Sequence, residues 1–431
     1  MKNILSITLF LCLHVTFLFG QANKTERKLV SAVDESNEYY TQLLKELVNI
    51  NSGTMNFEGV QAVGKKLMAE FDALGMDTEW VDGSAFNRAG HLVAKTKGSK
   101  GPKMLMIGHL DTVFEPGSPF QSYEMLNGSI MKGPGVADMK GGDVIILMAL
   151  NALKEAGLLD KMQIQVIMTG DEEKSGSPIE LSKQALVEGA KWADIALAFE
   201  NADGDPKTIV VSRRGSSGWV LNVKGNAAHS SQVFTDKVGV GAIYEASRIL
   251  NEFYIQLSKE ENLTFNPGMI LGGTATDYKP NESGGTAFGK SNVVAQYVTV
   301  NGDIRAVSLE QLDMAKATMQ QIVKKNYPGT IADIQFSSGG YPPLAPSSGN
   351  YELLRKYSDV SIDLGFGPVE AVNPRNAGAA DVSFTSGYVD MAIDGMGLSG
   401  ADDHTINETG DLSKLSVQAK RAAVLMYRLV Y

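Results

Sequence analysis

The chain has 431 residues, a formal net charge of −10 and a single cysteine. An acidic chain without a basic run does not suit a nucleic-acid partner, and one cysteine excludes both a disulfide framework and a thiolate metal site. The length exceeds what one hydrophobic core usually organises, so we expect two domains.

Residues 1–20 have the pattern of a cleaved secretory signal, with Lys2, a largely apolar run over 4–19, and small residues at Gly20 and Ala22. A transmembrane anchor is the alternative, but the run is short for a bilayer and no second apolar run follows it. Cys12 lies inside the segment, so its removal leaves no cysteine. We therefore predict a secreted or periplasmic chain without a stable membrane span.

The first half of the chain alternates helical and strand patterns. Helical spacing of apolar residues covers 36–48, 59–74 and 143–156, and strand patterns cover 78–81, 91–96, 103–107, 163–168 and 192–199. Several of these strand patterns are continuously apolar, which is typical of strands buried on both faces of a parallel sheet. This alternation predicts an α/β fold with a mostly parallel central sheet.

The pattern changes at about residue 213. Longer strands are predicted at 217–224, 291–305 and 331–337, with helices at 238–257 and 309–326. One further strand would complete a β-α-β-β-α-β order, which is ferredoxin-like. After a Pro- and Ser-rich linker at 341–349, helices at 351–359 and 412–429, with 391–398 between them, would complete the first domain. We predict a discontinuous domain of residues 21–212 and 341–431 that carries residues 213–340 as an insertion.

Ionisable residues follow the predicted strands or lie on glycine-rich turns. Imidazole and carboxylate together suit Zn²⁺, and a shared carboxylate can hold two ions roughly 3.5–4 Å apart with an activated water between them. Two adjacent glutamates cannot easily bind one ion in the same way, so one would ligate and the other would handle protons. The residues of this set are His109, Asp111, Asp138, Glu172, Glu173, Glu200 and His404.

Two further ionisable residues are left out of this set. Asp203 is an alternative to Glu200, but Glu200 directly follows an apolar run and is preferred. His91 opens a predicted strand without a nearby acidic residue in the sequence, so we predict a structural role for it.

Five motifs resemble the metal-site segments of the M20 metallopeptidases, the glutamate carboxypeptidase and acetylornithine deacetylase group. The motifs are GHLDTVF at 108–114, GPGVADMKGG at 133–142, TGDEEKSG at 169–176, FEN at 199–201 and DDHTINE at 402–408. Their order and spacing match across nearly the whole chain after the signal. The resemblance implies a zinc-peptidase-like catalytic domain with two Zn²⁺ per chain, for which Co²⁺ or Mn²⁺ could substitute.

The resemblance also assigns roles to these residues. One zinc would be held by His109, Asp138 and Glu200, and the other by Asp138, Glu173 and His404, with Asp138 as the bridge. Glu172 would be the general base for attack by a metal-bridging hydroxide, and Asp111 would orient His109. A cis peptide is implied between Asp138 and Met139.

The inserted region carries three further similar segments: KGNAAHSS at 224–231, KSNVV at 290–294 and GDIR at 302–305. They imply a lid and dimerisation domain in which His229 reaches the neighbouring subunit's site to stabilise an oxyanion. Asn292 and Arg305 would grip the substrate carboxylate. Glutamate-specific members have a further arginine near the end of the lid, which 332–344 lacks and for which Arg375 is a possible substitute.

The expected function is cleavage of an amide or peptide bond next to a free C-terminal carboxylate, as in a carboxypeptidase or dipeptidase. The substrate would be a small peptide, and the enzyme a homodimer through 213–340. An N-acyl-amino-acid deacylase is the alternative enzyme. A third hypothesis is a binding protein that kept the fold and lost catalysis. The presence of Glu172 and of all expected ligands argues against it.

Overall fold

The computed structural model describes residues 22–282, 284–337 and 339–431, so the predicted signal segment at 1–20 lies outside the described residues. Within these ranges no helix is long and apolar enough to span a bilayer. The helices are α1 (Lys24–Val48), α2 (Phe57–Leu74), α3 (Gly141–Glu155), α4 (Ile179–Ser182), α5 (Gln184–Trp192), α6 (Ala242–Leu257), α7 (Leu309–Val323), α8 (Ser348–Asp363) and α9 (Leu415–Val430).

The strands form two larger sheets and several short ribbons. They are β1 (Asp77–Asp82), β2 (Gly90–Lys95), β3 (Lys100–His109), β4 (Glu124–Met125), β5 (Ile130–Lys132), β6 (Met162–Thr169), β7 (Ile195–Ala198), β8 (Thr208–Ile209), β9 (Gly215–Gly225), β10 (Thr264–Gly273), β11 (Ala275–Lys279), β12 (Gly284–Phe288), β13 (Tyr297–Ala306), β14 (Thr330–Phe336), β15 (Glu370–Ala371), β16 (Met391–Ile393), β17 (Gly400–Ala401) and β18 (Thr409–Asp411).

The central sheet has the strand order β1-β2-β6-β3-β7-β16. Strands β6, β3, β7 and β16 are parallel, and β2 pairs antiparallel with β6 and with β1. Helix α3 is buried over most of its length because it packs between the sheet and helices α1 and α9. These features confirm the predicted α/β architecture with a mostly parallel sheet.

The parallel strands bring their carboxyl ends to one edge of the central sheet. Strand β3 ends at His109, β6 ends two residues before Asp171, and β7 ends two residues before Glu200. Because such strand ends lie side by side, polar residues that are far apart in the sequence meet at this edge.

The second sheet is antiparallel, with the order β10-β13-β9-β14, and helices α6 and α7 pack on one of its faces. Alternate residues of β9 are buried against these helices, around a core of its own that includes Trp219, Leu221 and Phe253. In chain order the region reads β9-α6-β10-β13-α7-β14, which is the β-α-β-β-α-β order.

Some predicted boundaries were wrong. Strand β10, the one that the sequence left unassigned, is an edge strand with an irregularity beside Pro267, a residue that a central strand would not accept. The predicted strand at 192–199 begins only at Ile195 because α5 continues to Trp192. The strand predicted from 291 begins at Tyr297, because Val294 instead donates to the carbonyl of Ala228.

Two chain segments connect the sheets and run side by side. Arg213 and Leu344 exchange backbone hydrogen bonds of 3.0 Å in both directions. Three residues from this pair, the N–H of Ser216 donates to the carbonyl of Tyr341 at 2.9 Å. We call residues 213–216 and 341–344 the double connection.

Candidate metal centre

His109, Asp138 and Glu200 form a first group of potential ligands. His109 Nε2 lies 3.1 Å from Asp138 Oδ1 and 3.4 Å from Glu200 Oε1, and the ring is almost completely buried. One ligand atom from each residue lies within 4.8 Å of the others. This spacing suits a single divalent ion with nitrogen and oxygen ligands.

Asp138, Glu173 and His404 form a second group. His404 Nε2 lies 3.1 Å from Asp138 Oδ2 and 3.2 Å from Glu173 Oε2. These ligand atoms also lie within 4.8 Å of one another. Asp138 therefore offers one oxygen to each group, which is the geometry that a bridging carboxylate requires.

Asp138 lies in a short turn, Val136–Lys140, directly before α3, and the backbone angles of Asp138 and Met139 are not helical. The peptide bond between Asp138 and Met139 is cis. Gly135, at the start of the turn, has φ +75°, and a Cβ atom there would lie 2.6 Å from Thr112 Cγ2. Only glycine fits this position, so the glycine-rich sequence is required for the backbone path that presents Asp138.

His404 has φ +59°, in the left-handed region that non-glycine residues seldom adopt. The side chain is about half exposed, whereas the carboxylates it faces are mostly buried. A histidine held in this conformation beside two carboxylates is a further mark of a functional site.

The site concentrates buried negative charge. Burial opposes a charged His109, but the carboxylates of Glu200 and Asp138 outweigh this effect and raise the pKa of His109 well above its usual value. Burial raises the pKa of Glu173 and of Glu200 to about 7, and the charge of Asp138 adds to both shifts. Burial of its carboxyl group also raises the pKa of Glu172 well above its usual value. A divalent cation would relieve this repulsion.

One buried carboxylate oxygen of the site lacks a protein partner. Glu173 Oε1 is buried and has no hydrogen-bond partner among the described residues. Leaving such an oxygen unpaired is costly, so the atom needs a partner that protein side chains do not supply. The donor set of two imidazoles and three carboxylates fits a pair of borderline divalent ions.

Glu172 belongs to neither ligand group but lines the same cavity. This cavity has a volume of about 200 Å³ and is also lined by Asp138, Glu200, Arg213 and His404. A carboxyl group with a raised pKa, beside but outside both ligand groups, suits proton transfer near neutral pH.

Asp111 contacts His109 and also the segment that carries Glu172 and Glu173. His109 Nδ1 lies 3.0 Å from the carbonyl oxygen of Asp111 and 3.5 Å from its carboxylate, so the carbonyl is the nearer partner of the ring. The carboxylate accepts hydrogen bonds from the hydroxyl of Thr54 at 2.6 Å and from the N–H groups of Glu172 and Glu173 at 3.1 and 3.2 Å. Asp111 thus ties the two glutamates to the strand that carries His109.

Glu408 was not among the predicted site residues. Its fully buried carboxylate accepts hydrogen bonds from the N–H groups of Gly135, Ala137 and Asp138 at 2.9, 2.9 and 3.1 Å. Burial raises its pKa to about 7, although these N–H groups favour the charged form. Glu408 lies four residues after His404 in the same motif, and this position was the only available signal.

Asp143 and Lys140 were also missed. Both side chains are completely buried, and both carboxylate oxygens of Asp143 lack a hydrogen-bond partner among the described residues. Lys140 Nζ donates to the carbonyl of Ile50 at 2.9 Å, and burial lowers its pKa to about 8. Asp143 is the first residue of a predicted helix and Lys140 lies in the glycine-rich motif, and neither position separates them from other charged residues.

Asp203 and His91 lie outside both ligand groups, as predicted. Asp203 accepts a hydrogen bond from the hydroxyl of Thr208 and is not in either group. His91 is buried, with Nε2 2.8 Å from the carbonyl of Ser182 and Nδ1 accepting from the N–H of Gly170. Both ring nitrogens of His91 are thus satisfied by backbone groups.

Arg305 lies in β13 of the inserted sheet, whereas His229 and Asn292 lie in loops outside its strands, and none of the three lines the cavity described above. His229 and Asn292 are exposed neighbours, because the N–H of Ser230 donates to the carbonyl of Asn292 at 2.9 Å. They follow the end of β9 that is remote from the double connection, and its 11 residues span about 33 Å at a rise of about 3.3 Å each. Arg305 lies at the opposite end of the sheet and donates to Asp303 at 3.0 Å.

Comparisons with known proteins agree with this geometry. The pattern of peptidase family M20/M25/M40 matches residues 105–428. The chain is 28% identical over 415 residues to carboxypeptidase G2 of Pseudomonas sp. (strain RS-16), covering 95% of this chain and 93% of that protein. It is 26% identical to a succinyl-diaminopimelate desuccinylase of Gluconobacter oxydans (strain 621H), over 86% of this chain and 93% of the relative.

Solved structures share the fold. Aminopeptidase PepT from Bacillus cereus ATCC 10987 superimposes with a TM-score of 0.70 at 20% identity, covering 92% of this chain and 99% of that one. A dinuclear metal-binding peptidase of the M20 family from Bacillus subtilis has a TM-score of 0.61 at 15% identity, with coverage of 92% and 99%.

The fold, the site and these relatives together define a hydrolase of the metallopeptidase and amidohydrolase class. More particularly, the chain belongs to peptidase family M20/M25/M40. The resemblance seen in the sequence motifs is thereby confirmed.

Proposed function

We propose that the chain is a dizinc hydrolase that cleaves an amide or peptide bond next to a free carboxylate, as a carboxypeptidase or dipeptidase does. The observation that carries this proposal is the sharing of Asp138 between two ligand groups, with Glu172 in the same cavity but in neither group. The relative named carboxypeptidase G2 supports the choice of reaction.

The residues present fit two zinc ions. His109 and Glu200 would hold one ion, Glu173 and His404 would hold the other, and Asp138 would contact both. Two such ions supply Lewis acidity to the scissile carbonyl and make a water acidic enough to lose a proton near pH 7. The unpaired oxygen of Glu173 and the raised pKa of Glu173 and of Glu200 support a cation here.

Glu172 would take the proton from the attacking water and deliver it to the leaving amine. Its raised pKa allows it to hold that proton transiently at neutral pH. The hydrogen bond from its backbone N–H to Asp111 fixes the loop, so the carboxyl group starts the reaction from a defined place.

The inserted domain would complete the site from a second subunit. His229 lies beyond the far end of β9, which favours an action on a neighbouring chain rather than on its own metal centre. We propose a homodimer through 213–340 in which Asn292 and Arg305, which lie at opposite ends of the inserted sheet, would bind the substrate carboxylate from different subunits. Export of the chain after removal of residues 1–20 completes the proposal.

An N-acyl-amino-acid deacylase is the second candidate, because a relative named for desuccinylation aligns over most of this chain. A hydrolysis screen of the zinc-loaded dimer separates the two readings. Dipeptides and N-acyl amino acids that share one C-terminal residue are compared by kcat/KM. Preference for a dipeptide supports the peptidase, preference for the acyl compound supports the deacylase, and hydrolysis of neither overturns both.

A further inference from the structure

We infer that Tyr341 is a positioning residue for Glu172, an inference that rests on the role proposed for Glu172. The hydroxyl of Tyr341 donates to the backbone carbonyl of Glu172 at 3.0 Å. It also lies 3.0 Å from the hydroxyl of Ser175 and 3.3 Å from Asp381 Oδ1. Tyr341 therefore binds the carbonyl of Glu172, whereas the carboxylate of Asp111 accepts from its N–H.

The partners of Tyr341 are themselves fixed. Lys183 is almost completely buried, and its Nζ lies 3.0 Å from Asp171 Oδ1 and 2.9 Å from Asp381 Oδ1. The hydroxyl of Thr169 donates to the other carboxylate oxygen of Asp381. Buried ion pairs that are hydrogen-bonded on all sides have little freedom to move. The residue before Glu172 is thus held firmly, and Tyr341 adds a hydrogen bond to the carbonyl of Glu172 beside those that Asp111 accepts from the N–H groups of Glu172 and Glu173.

Tyr341 also belongs to the double connection. Its carbonyl accepts from the N–H of Ser216, at the start of the inserted sheet. Its ring packs edge-on against Phe384, with the ring centres 5.0 Å apart. A displacement of the inserted sheet at this point would move the Tyr341 backbone, and its hydroxyl would carry the change to the carbonyl of Glu172. Tyr341 thus positions the proposed base according to the arrangement of the two sheets.

The test is Tyr341→Phe, which keeps the ring packing and removes only the hydroxyl. With the zinc-loaded enzyme and the best substrate from the screen, kcat should fall between about 10-fold and 100-fold, as small displacements of reacting groups do. KM should change by less than about twofold, because substrate contacts remain. Zinc content should stay at the wild-type value. Unchanged kcat, a loss confined to KM, or a loss of zinc would each overturn the inference.

Ser175→Ala is the matched control, since it removes another partner of the same hydroxyl without touching Glu172. It should retain nearly all of the wild-type kcat; a loss as large as that of Tyr341→Phe would overturn the inference. A second arm places Tyr341→Phe in a Glu172→Asp background, where the carboxyl group is already displaced. If Tyr341 acts through Glu172, its removal there should lower kcat by clearly less than in the wild type. An equal loss in both backgrounds would show a general structural role and would contradict the inference.

Failure of the positioning role of Tyr341 can be distinguished from failure of the role proposed for Glu172. If Glu172→Ala turns over normally, the proposed base assignment fails. If Glu172→Ala is inactive while Tyr341→Phe is fully active, only the positioning role fails.

Discussion

The metal centre and the inserted sheet differ in how complete they are within one chain. The centre brings His109, Asp138, Glu173, Glu200 and His404 together from parallel strand ends, the turn before α3 and the loop between β17 and β18. In the inserted region, Arg305 lies at one end of the antiparallel sheet and His229 and Asn292 lie in loops beyond the other end, and none of them lines the metal cavity. A set of residues that meet at one sheet edge needs only the fold, whereas the residues of the insertion need another arrangement or another chain.

Asp138→Ala should have the largest effect on the metal centre. Because Asp138 contributes an oxygen to both ligand groups, its loss should prevent binding of the ion pair and lower kcat/KM by several orders of magnitude. Zinc analysis and the hydrolysis assay measure the two effects. Asp203→Ala, at the competing acidic position, is the matched control and should keep both zinc and activity.

Glu172→Ala separates the binding of metal from proton transfer. We expect full zinc content and a fall in kcat of about 10²-fold to 10⁴-fold, the usual contribution of a general base. Glu180→Ala, which removes an exposed glutamate nearby, should behave like the wild type. If Glu172→Ala keeps the turnover of the wild type, Glu172 is not the general base.

His229→Ala tests whether the second region acts on another chain. Loss of one oxyanion donor should lower kcat by about 10²-fold to 10³-fold. Mixing His229→Ala with Glu172→Ala should then restore activity, because a mixed dimer contains one intact composite site. Gln232→Ala, in the turn after His229, should have little effect. No recovery in proven mixed dimers, or a monomeric wild type, would contradict an action in trans.

The smallest expected effect is the dependence of zinc stabilisation on pH. Folding raises the pKa of Glu173 and of Glu200 from 4.5 to about 7, so their contribution to the stability of the metal-free chain is present below about pH 4.5 and lost as pH rises through about 7. The pKa of His404, raised to about 11, adds a loss in the same direction above about pH 6.5. Zinc should therefore raise Tm over the chelated protein more at pH 8 than at pH 5. An equal or larger shift at pH 5 would contradict this reading.

The sequence indicated the candidate ligands because each follows an apolar strand or lies in a recognisable motif, and the resemblance to the M20 metallopeptidases divided them into two groups. His109 and Glu200 follow β3 and β7, and the glycines around Asp138 signalled its turn. The fold class followed from the same periodicity. Those signals lie within short stretches of sequence, so they can be recognised without knowing how the chain packs.

The parts that could not be predicted depend on contacts through space. Glu408 binds the N–H groups of the Asp138 turn across more than 260 positions of sequence, and Tyr341 binds the carbonyl of Glu172 across 169. Neither residue type nor spacing reveals such partners. Strand β10 was missed for a different reason, since Pro267 and the glycines of an edge strand weaken its pattern.

The number of zinc ions that the metal-free chain takes up tests the central claim most directly. Titration with zinc, followed by removal of free metal and elemental analysis, should give two ions per chain for the wild type and for Glu172→Ala. A single ion per chain, or none in a preparation that retains full activity, would contradict the shared Asp138 bridge on which the account rests.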